Sequence, residues 1–125
     1  ISLFENITSM RKILNIAAQN GVKAICGINS FPMKVMDKNG APALGKSREI
    51  SGLCGAPIRQ VALEFVKQAN KIIYQDCLDL KIIGVGGITC SQDINDFLDA
   101  GATCCQSATG MMWNPFLAIN YNKQR

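Results

Sequence analysis

Two short stretches of this chain have the residue types and order of an anion site: Lys81-Ile-Ile-Gly-Val-Gly-Gly-Ile88 and Thr103-Cys-Cys-Gln-Ser-Ala-Thr-Gly110. Each reads as a buried strand running into a small-residue turn that opens a helix. There, backbone N–H groups and the helix dipole favour a phosphate. Two such turns after consecutive strands predict one phosphate held at the carboxyl end of a parallel barrel, and so a phosphorylated cofactor. A third small-residue segment, Ser51-Gly52-Leu-Cys-Gly55, precedes the strongest helix and could lie against a planar ligand. Together the three predict consecutive βα loops on one side of a barrel.

Two other glycine-rich patterns fail on context. Gly40-Ala-Pro-Ala-Leu-Gly45-Lys46-Ser47 matches the nucleotide-binding P-loop letter for letter. That motif needs a buried strand before it and a helix after it. Here Met36-Asp-Lys-Asn39 precedes it and Arg48-Glu-Ile-Ser-Gly52 follows, and Pro42 removes one N–H from the cradle. Gly84-Val-Gly86-Gly87 is not a dinucleotide fingerprint, because position 89 is Thr and no acidic residue stands about twenty positions on.

The elements that must position these turns follow from periodicity. From Asn6 to Asn20, Met10, Ile13, Leu14 and Ala17 fall at helical spacing, with Gly21 as a left-handed stop. A strand is expected from Val22 to Asn29, then a long irregular segment over 30–56. The next helix is led by Pro57. Ile58, Val61, Ala62, Phe65, Ala69, Ile72 and Ile73 lie on one face, and Arg59, Glu64, Lys67 and Lys71 on the solvent face. A strand over 81–85, a helix begun by Ser91 and stopped by Gly101, a strand over 103–107 and a helix from about Gly110 to Asn120 complete the pattern. The order is α-βα-βα-βα, an α/β chain of three parallel strands with about four helices. Three strands cannot close a barrel of eight, so missing sequence or another subunit must complete one edge.

Composition excludes several classes. The 125 residues are 48% hydrophobic with four prolines, as in a packed globular body. The net charge of +4 is spread along the chain with no basic stripe interleaved with aromatics, which excludes a nucleic-acid partner. The apolar runs are strand-length, so no membrane span is expected. Ile1 begins the sequence without a signal-peptide pattern, as in a piece of a longer chain. Six cysteines with no Cys-x-x-Cys pair and no histidine argue against a metal site, zinc included. They read as buried, unbridged thiols in a reducing, cytoplasmic setting.

The segments Asn6-Ile-Thr8, Ile28-Asn29-Ser30, Ser51-Gly-Leu-Cys-Gly55, Gly84-Val-Gly-Gly-Ile88 and Gln106-Ser-Ala-Thr-Gly110 resemble, in order and spacing, the dihydroorotate dehydrogenases and the related pyrimidine domain of dihydropyrimidine dehydrogenase. The resemblance covers nearly the whole chain. It implies the carboxyl-terminal part of a TIM (β/α)8 barrel, with residues 1–125 forming one partial FMN-binding domain. It further implies that Gly86, Gly87, Ala108 and Thr109 bind the FMN phosphate, that Ser51 and Gly52 lie along the flavin, and that Asn29 and Ser30 hydrogen-bond a pyrimidine substrate. The implied reaction is FMN-dependent oxidation of dihydroorotate to orotate in de novo pyrimidine biosynthesis, as a flavoprotein oxidoreductase. The family's catalytic Cys or Ser would lie upstream of Ile1, so no catalytic residue is assigned. The expected partners are the pyrimidine substrate and the missing amino-terminal barrel half or a partner subunit, with room for a homo-oligomer. Ser51 and Cys54 replace glycines common in the family, and Phe4-Glu5 stands where a proline is usual. A dihydropyrimidine dehydrogenase-like reductase domain and a non-catalytic half-barrel binding a phosphorylated ligand remain as alternatives.

Overall fold

Asn6 caps the first helix by accepting the Ser9 N–H at 2.8 Å, and the helix, α1, runs Ile7–Gln19 with Met10 and Leu14 buried. The computed structural model describes Phe4 and residues 6–124; Ile1, Ser2, Leu3, Glu5 and Arg125 lie outside the described residues, and with them the expectations placed on Ile1 and Glu5. After α1 come β1 (Ala24–Gly27), β2 (Phe31–Lys34) and β3 (Ile50–Leu53), then a 3-10 turn (Ala56–Ile58) leading into α2 (Arg59–Gln75). β4 (Lys81–Val85), α3 (Ser91–Asp99), β5 (Cys104–Gln106), α4 (Thr109–Trp113) and α5 (Leu117–Lys123) follow. β1, β4 and β5 form one parallel sheet in the order β1-β4-β5, with Gly27 opposite Gly84 and Val85 opposite Gln106.

The strands alternate strictly, and the alternation decides which face is covered. Ile25, Gly27, Ile82 and Gly84 are buried against the helices. Gly84 leaves room for the Phe97 ring, whose Cδ1 would stand 2.6 Å from a Cβ at that position. Phe65, Val66, Ala69 and Ile72 of α2 complete this core, and the Phe4 ring stacks on Phe65 with centroids 6.3 Å apart. The opposite face, bearing Cys26, Ile83, Val85, Cys104 and Gln106, has no layer over it among the described residues, and both sheet edges are unpaired.

Three expectations need correction. The segment 30–56 is not wholly irregular, because β2 and β3 pair antiparallel, with Pro32 opposite Gly52 and Met33 opposite Ser51. Ser51 and Gly52 therefore sit on a strand rather than in a βα loop. The expected last helix is two helices. Asn114 precedes Pro115, which cannot continue the α-helical ladder and drives its predecessor extended (φ −135°, ψ 89°). Nor are the cysteines buried: Cys54, Cys77, Cys90 and Cys104 are exposed, and Cys26 and Cys105 are intermediate. Residues 40–47, the P-loop look-alike, form turns that lead into β3 with no helix after them.

Candidate functional site

The carboxyl ends of the three parallel strands converge. Asn29 and Ser30 leave β1, Gly86 and Gly87 leave β4, and Ser107 to Thr109 leave β5. The second and third of these bends touch. Ser107 Oγ donates to the Ile88 carbonyl at 2.7 Å, and a Cβ on Gly110 would collide with that same oxygen. No carbonyl or side chain among the described residues accepts from the N–H groups of Gly87, Ile88, Ala108 or Thr109. Gly87 and Ile88 are buried, Thr109 is intermediate and Ala108 is exposed. Successive open N–H groups in two adjoining bends form a concavity of the kind that suits an anionic partner.

The β2–β3 hairpin bends back over this end of the sheet. A Cβ on Gly52 would lie 2.7 Å from Ser30 Oγ, and one on Gly55 would lie 3.2 Å from Thr109 Cγ2. Cys54 Sγ is 3.9 Å from the Asn29 carbonyl oxygen. The structure thus gathers the eight expected residues at one end of the sheet, with Asn29 and Ala108 lining a cavity of about 610 Å³. Cys26, Val85, Cys105 and Gln106 form its strand wall, and Cys26 Sγ lies 3.2 Å from Gln106 Oε1. The other six surround this end without lining the cavity.

Sequence reasoning missed a polar cluster behind the first bend. Arg59 does not simply face solvent. It opens α2, and its Nη2 donates to Asp96 while its Nε is in ion-pair contact with Asp93, out of hydrogen-bond alignment. Asp93 Oδ2 accepts from Thr89 N–H at 2.8 Å, Thr89 Oγ1 at 2.9 Å and Cys90 N–H at 3.1 Å. Burial alone would push the Asp93 carboxyl up, but the Thr89 and Cys90 hydrogen bonds outweigh it and hold the group below its ordinary value. The signal was an Asp three positions into the helix, a capping box whose N-cap is Cys90 and not Ser91. On β5, burial and then neighbouring Cys104 push the Cys105 thiol to about 11, which keeps it protonated and unreactive near neutrality.

Helices on one face only of a parallel sheet, small-residue bends at its carboxyl ends and an uncovered opposite face define a segment of a parallel α/β barrel. The chain belongs to the dihydroorotate dehydrogenase family, whose model matches residues 3–122. It is 43% identical over 123 residues to the dihydroorotate dehydrogenase of Dictyostelium discoideum, covering 98% of this chain and 33% of that protein. It is 32% identical over 120 residues to the catalytic subunit of dihydroorotate dehydrogenase B (NAD(+)) of Brachyspira hyodysenteriae, covering 95% and 37%. The NAD-dependent dihydropyrimidine dehydrogenase subunit PreA of Escherichia coli is 31% identical over 111 residues, covering 86% and 26%. The fold matches the crystal structure of the Eimeria tenella enzyme in complex with ferulenol, a TIM barrel, with a TM-score of 0.72 at 22% identity, over 95% of this chain and 30% of that one. The chain spans about a quarter to somewhat over a third of the length of these relatives.

Proposed function

We propose that this chain is the carboxyl-terminal part of a cytoplasmic, FMN-dependent dihydroorotate dehydrogenase, oxidising dihydroorotate to orotate for pyrimidine biosynthesis. What supports the reading most is the contact between the two bends, whose N–H groups at Gly87, Ile88, Ala108 and Thr109 have no acceptor among the described residues. FMN, when bound, supplies the two-electron acceptor for the hydride leaving the substrate. Gly86, Gly87, Ala108 and Thr109 hold its phosphate through main-chain hydrogens, and Ser51 and Gly52 lie along the flavin. Asn29 and Ser30 orient the pyrimidine, the Asn29 amide donating and accepting along an imide edge. The group that takes the substrate proton comes from the two thirds of the relatives' length that this stretch does not span.

The test is spectroscopic. Full-length protein should purify with bound FMN, and anaerobic dihydroorotate should bleach it, whereas Asn29→Ala should retain flavin and raise the dihydroorotate concentration needed. Bleaching by dihydrouracil and not by dihydroorotate would move the assignment to a dihydropyrimidine dehydrogenase-like reductase. Colourless protein that takes up no FMN would leave a non-catalytic half-barrel.

A further inference from the structure

Asp93 is the one charged side chain buried among the described residues, at 7% exposure, and each of its oxygens is committed to a different element. Oδ2 gathers the three donors of Thr89 and Cys90 that end the first bend, and Oδ1 faces the Arg59 guanidinium. Arg59 in turn stands against the bend itself, because a Cβ on Gly87 would lie 2.7 Å from the Arg59 N and Cα. The backbone of residues 86–90 is therefore fixed from both sides. Ser107 holds the Ile88 carbonyl through its hydroxyl and Gly110 packs closely against it, while Asp93 holds Thr89 and Cys90 and Arg59 packs against Gly87.

We propose that Arg59 and Asp93 are paired positioning residues for the FMN phosphate, setting the direction of the Gly87 and Ile88 N–H groups without touching the anion themselves. The inference rests on the FMN reading above. A carboxylate that organises two successive residues of the turn leaves that turn little freedom to rotate its next peptide groups, and hydrogen-bond donation weakens steeply off line. Asp96 differs. It accepts from Arg59 and, at 2.8 Å, from Gln92 Nε2, and among the described residues makes no hydrogen bond to the bend. A clamp that merely joined α2 to α3 would depend on both carboxylates; a device that aims the bend depends on Asp93.

Flavin-stripped full-length protein is titrated with FMN and with riboflavin, which lacks the phosphate, while flavin fluorescence is followed. R59Q and D93N should each weaken FMN binding by about tenfold or more, the scale of one hydrogen bond to a charged group. Riboflavin binding should stay within about twofold. D96N and the charge-conserving R59K should keep most of the FMN affinity. Should R59Q fail to fold, D93N carries the comparison. Equal losses for both flavins, equal losses in D96N and D93N, or no loss in D93N would overturn the assignment. Wild-type protein that binds no FMN would end the cofactor reading itself, and this inference with it.

Discussion

Gly87 shows how a single residue connects backbone geometry to the site. Its φ of +77° is costly for any side chain, and the space a Cβ would fill is occupied by the Arg59 backbone, which cannot swing aside. Gly87→Ala should therefore cost about 2–4 kcal/mol, measured as a fall in the urea midpoint at constant slope. Gly45, at φ +113° with open space around it, carries the torsional penalty alone, so Gly45→Ala should cost about 1–2 kcal/mol. Equal losses at the two positions would show that the Arg59 contact counts for nothing. Asp93 sets a pH dependence whose sign is fixed by its lowered value. Its stabilisation is complete above the unfolded carboxylate value of about 3.9 and disappears as pH falls through the lower, folded value. D93N should be less stable than wild type at neutral pH, with the two urea midpoints converging as the solution is taken below about pH 4. Parallel curves down to the acid end would refute the role given to Asp93. The bends were legible in the sequence because Gly and small residues after an apolar run have few other uses. Arg59 was not, since a basic residue in a helix's first turn reads as solvated until the partner helix is seen beside it.

Among the elements, α1, α2 and α3 and the three parallel strands were legible to within a few residues, because each has a clean period of 3.6 or 2. The hairpin was not. Phe31-Pro-Met-Lys34 and Ile50-Ser-Gly-Leu53 contain Pro and Gly, which count against strands, yet a two-stranded ribbon has an outer edge where Pro32 need not donate to a partner. Its pairing is a consequence of tertiary position over the sheet end, with Gly52 against Ser30 and Gly55 against Thr109, and no local signal encodes that. α4 and α5 were merged because the apolar residues Met111, Met112, Trp113, Phe116 and Leu117 run through Pro115, and the proline should have outweighed them. Where the element ends are explicit the energetics are equally so. The Asn6 carboxamide satisfies one of the open N–H groups of α1, and Asn6→Ala should lower stability by about 1 kcal/mol. Asn6→Asp should not, since a carboxylate accepts the same hydrogen and adds a favourable charge at the helix start. Thermal melts of the two variants decide it.

At the scale of the whole molecule, the sheet is covered on one side only among the described residues, and the alternation that buries Ile25, Ile82 and Gly84 sends Cys104, Val85 and Gln106 to the other. In a closed barrel that second side is the interior, filled by side chains from every strand. Its relatives are about three times as long as this stretch, and the solved structure whose fold it matches is a TIM barrel. The exposed thiols then sort by topology. Cys104 lies on the inner face of β5, while Cys77 follows α2 on the outside of the sheet. In the 125-residue stretch expressed alone, both should react with iodoacetamide at rates of the same order, with Cys105 far slower because its thiol is held protonated, at about 11. In the full-length protein, Cys104 should slow by at least about tenfold, since labelling then waits on local opening, while Cys77 keeps its rate. Site-resolved mass spectrometry over a time course reads all three. If Cys104 stayed as reactive in the long protein as in the short one, the bare face would not be a barrel interior, and the bends at its rim would be open to solvent and poorly suited to hold a flavin away from water.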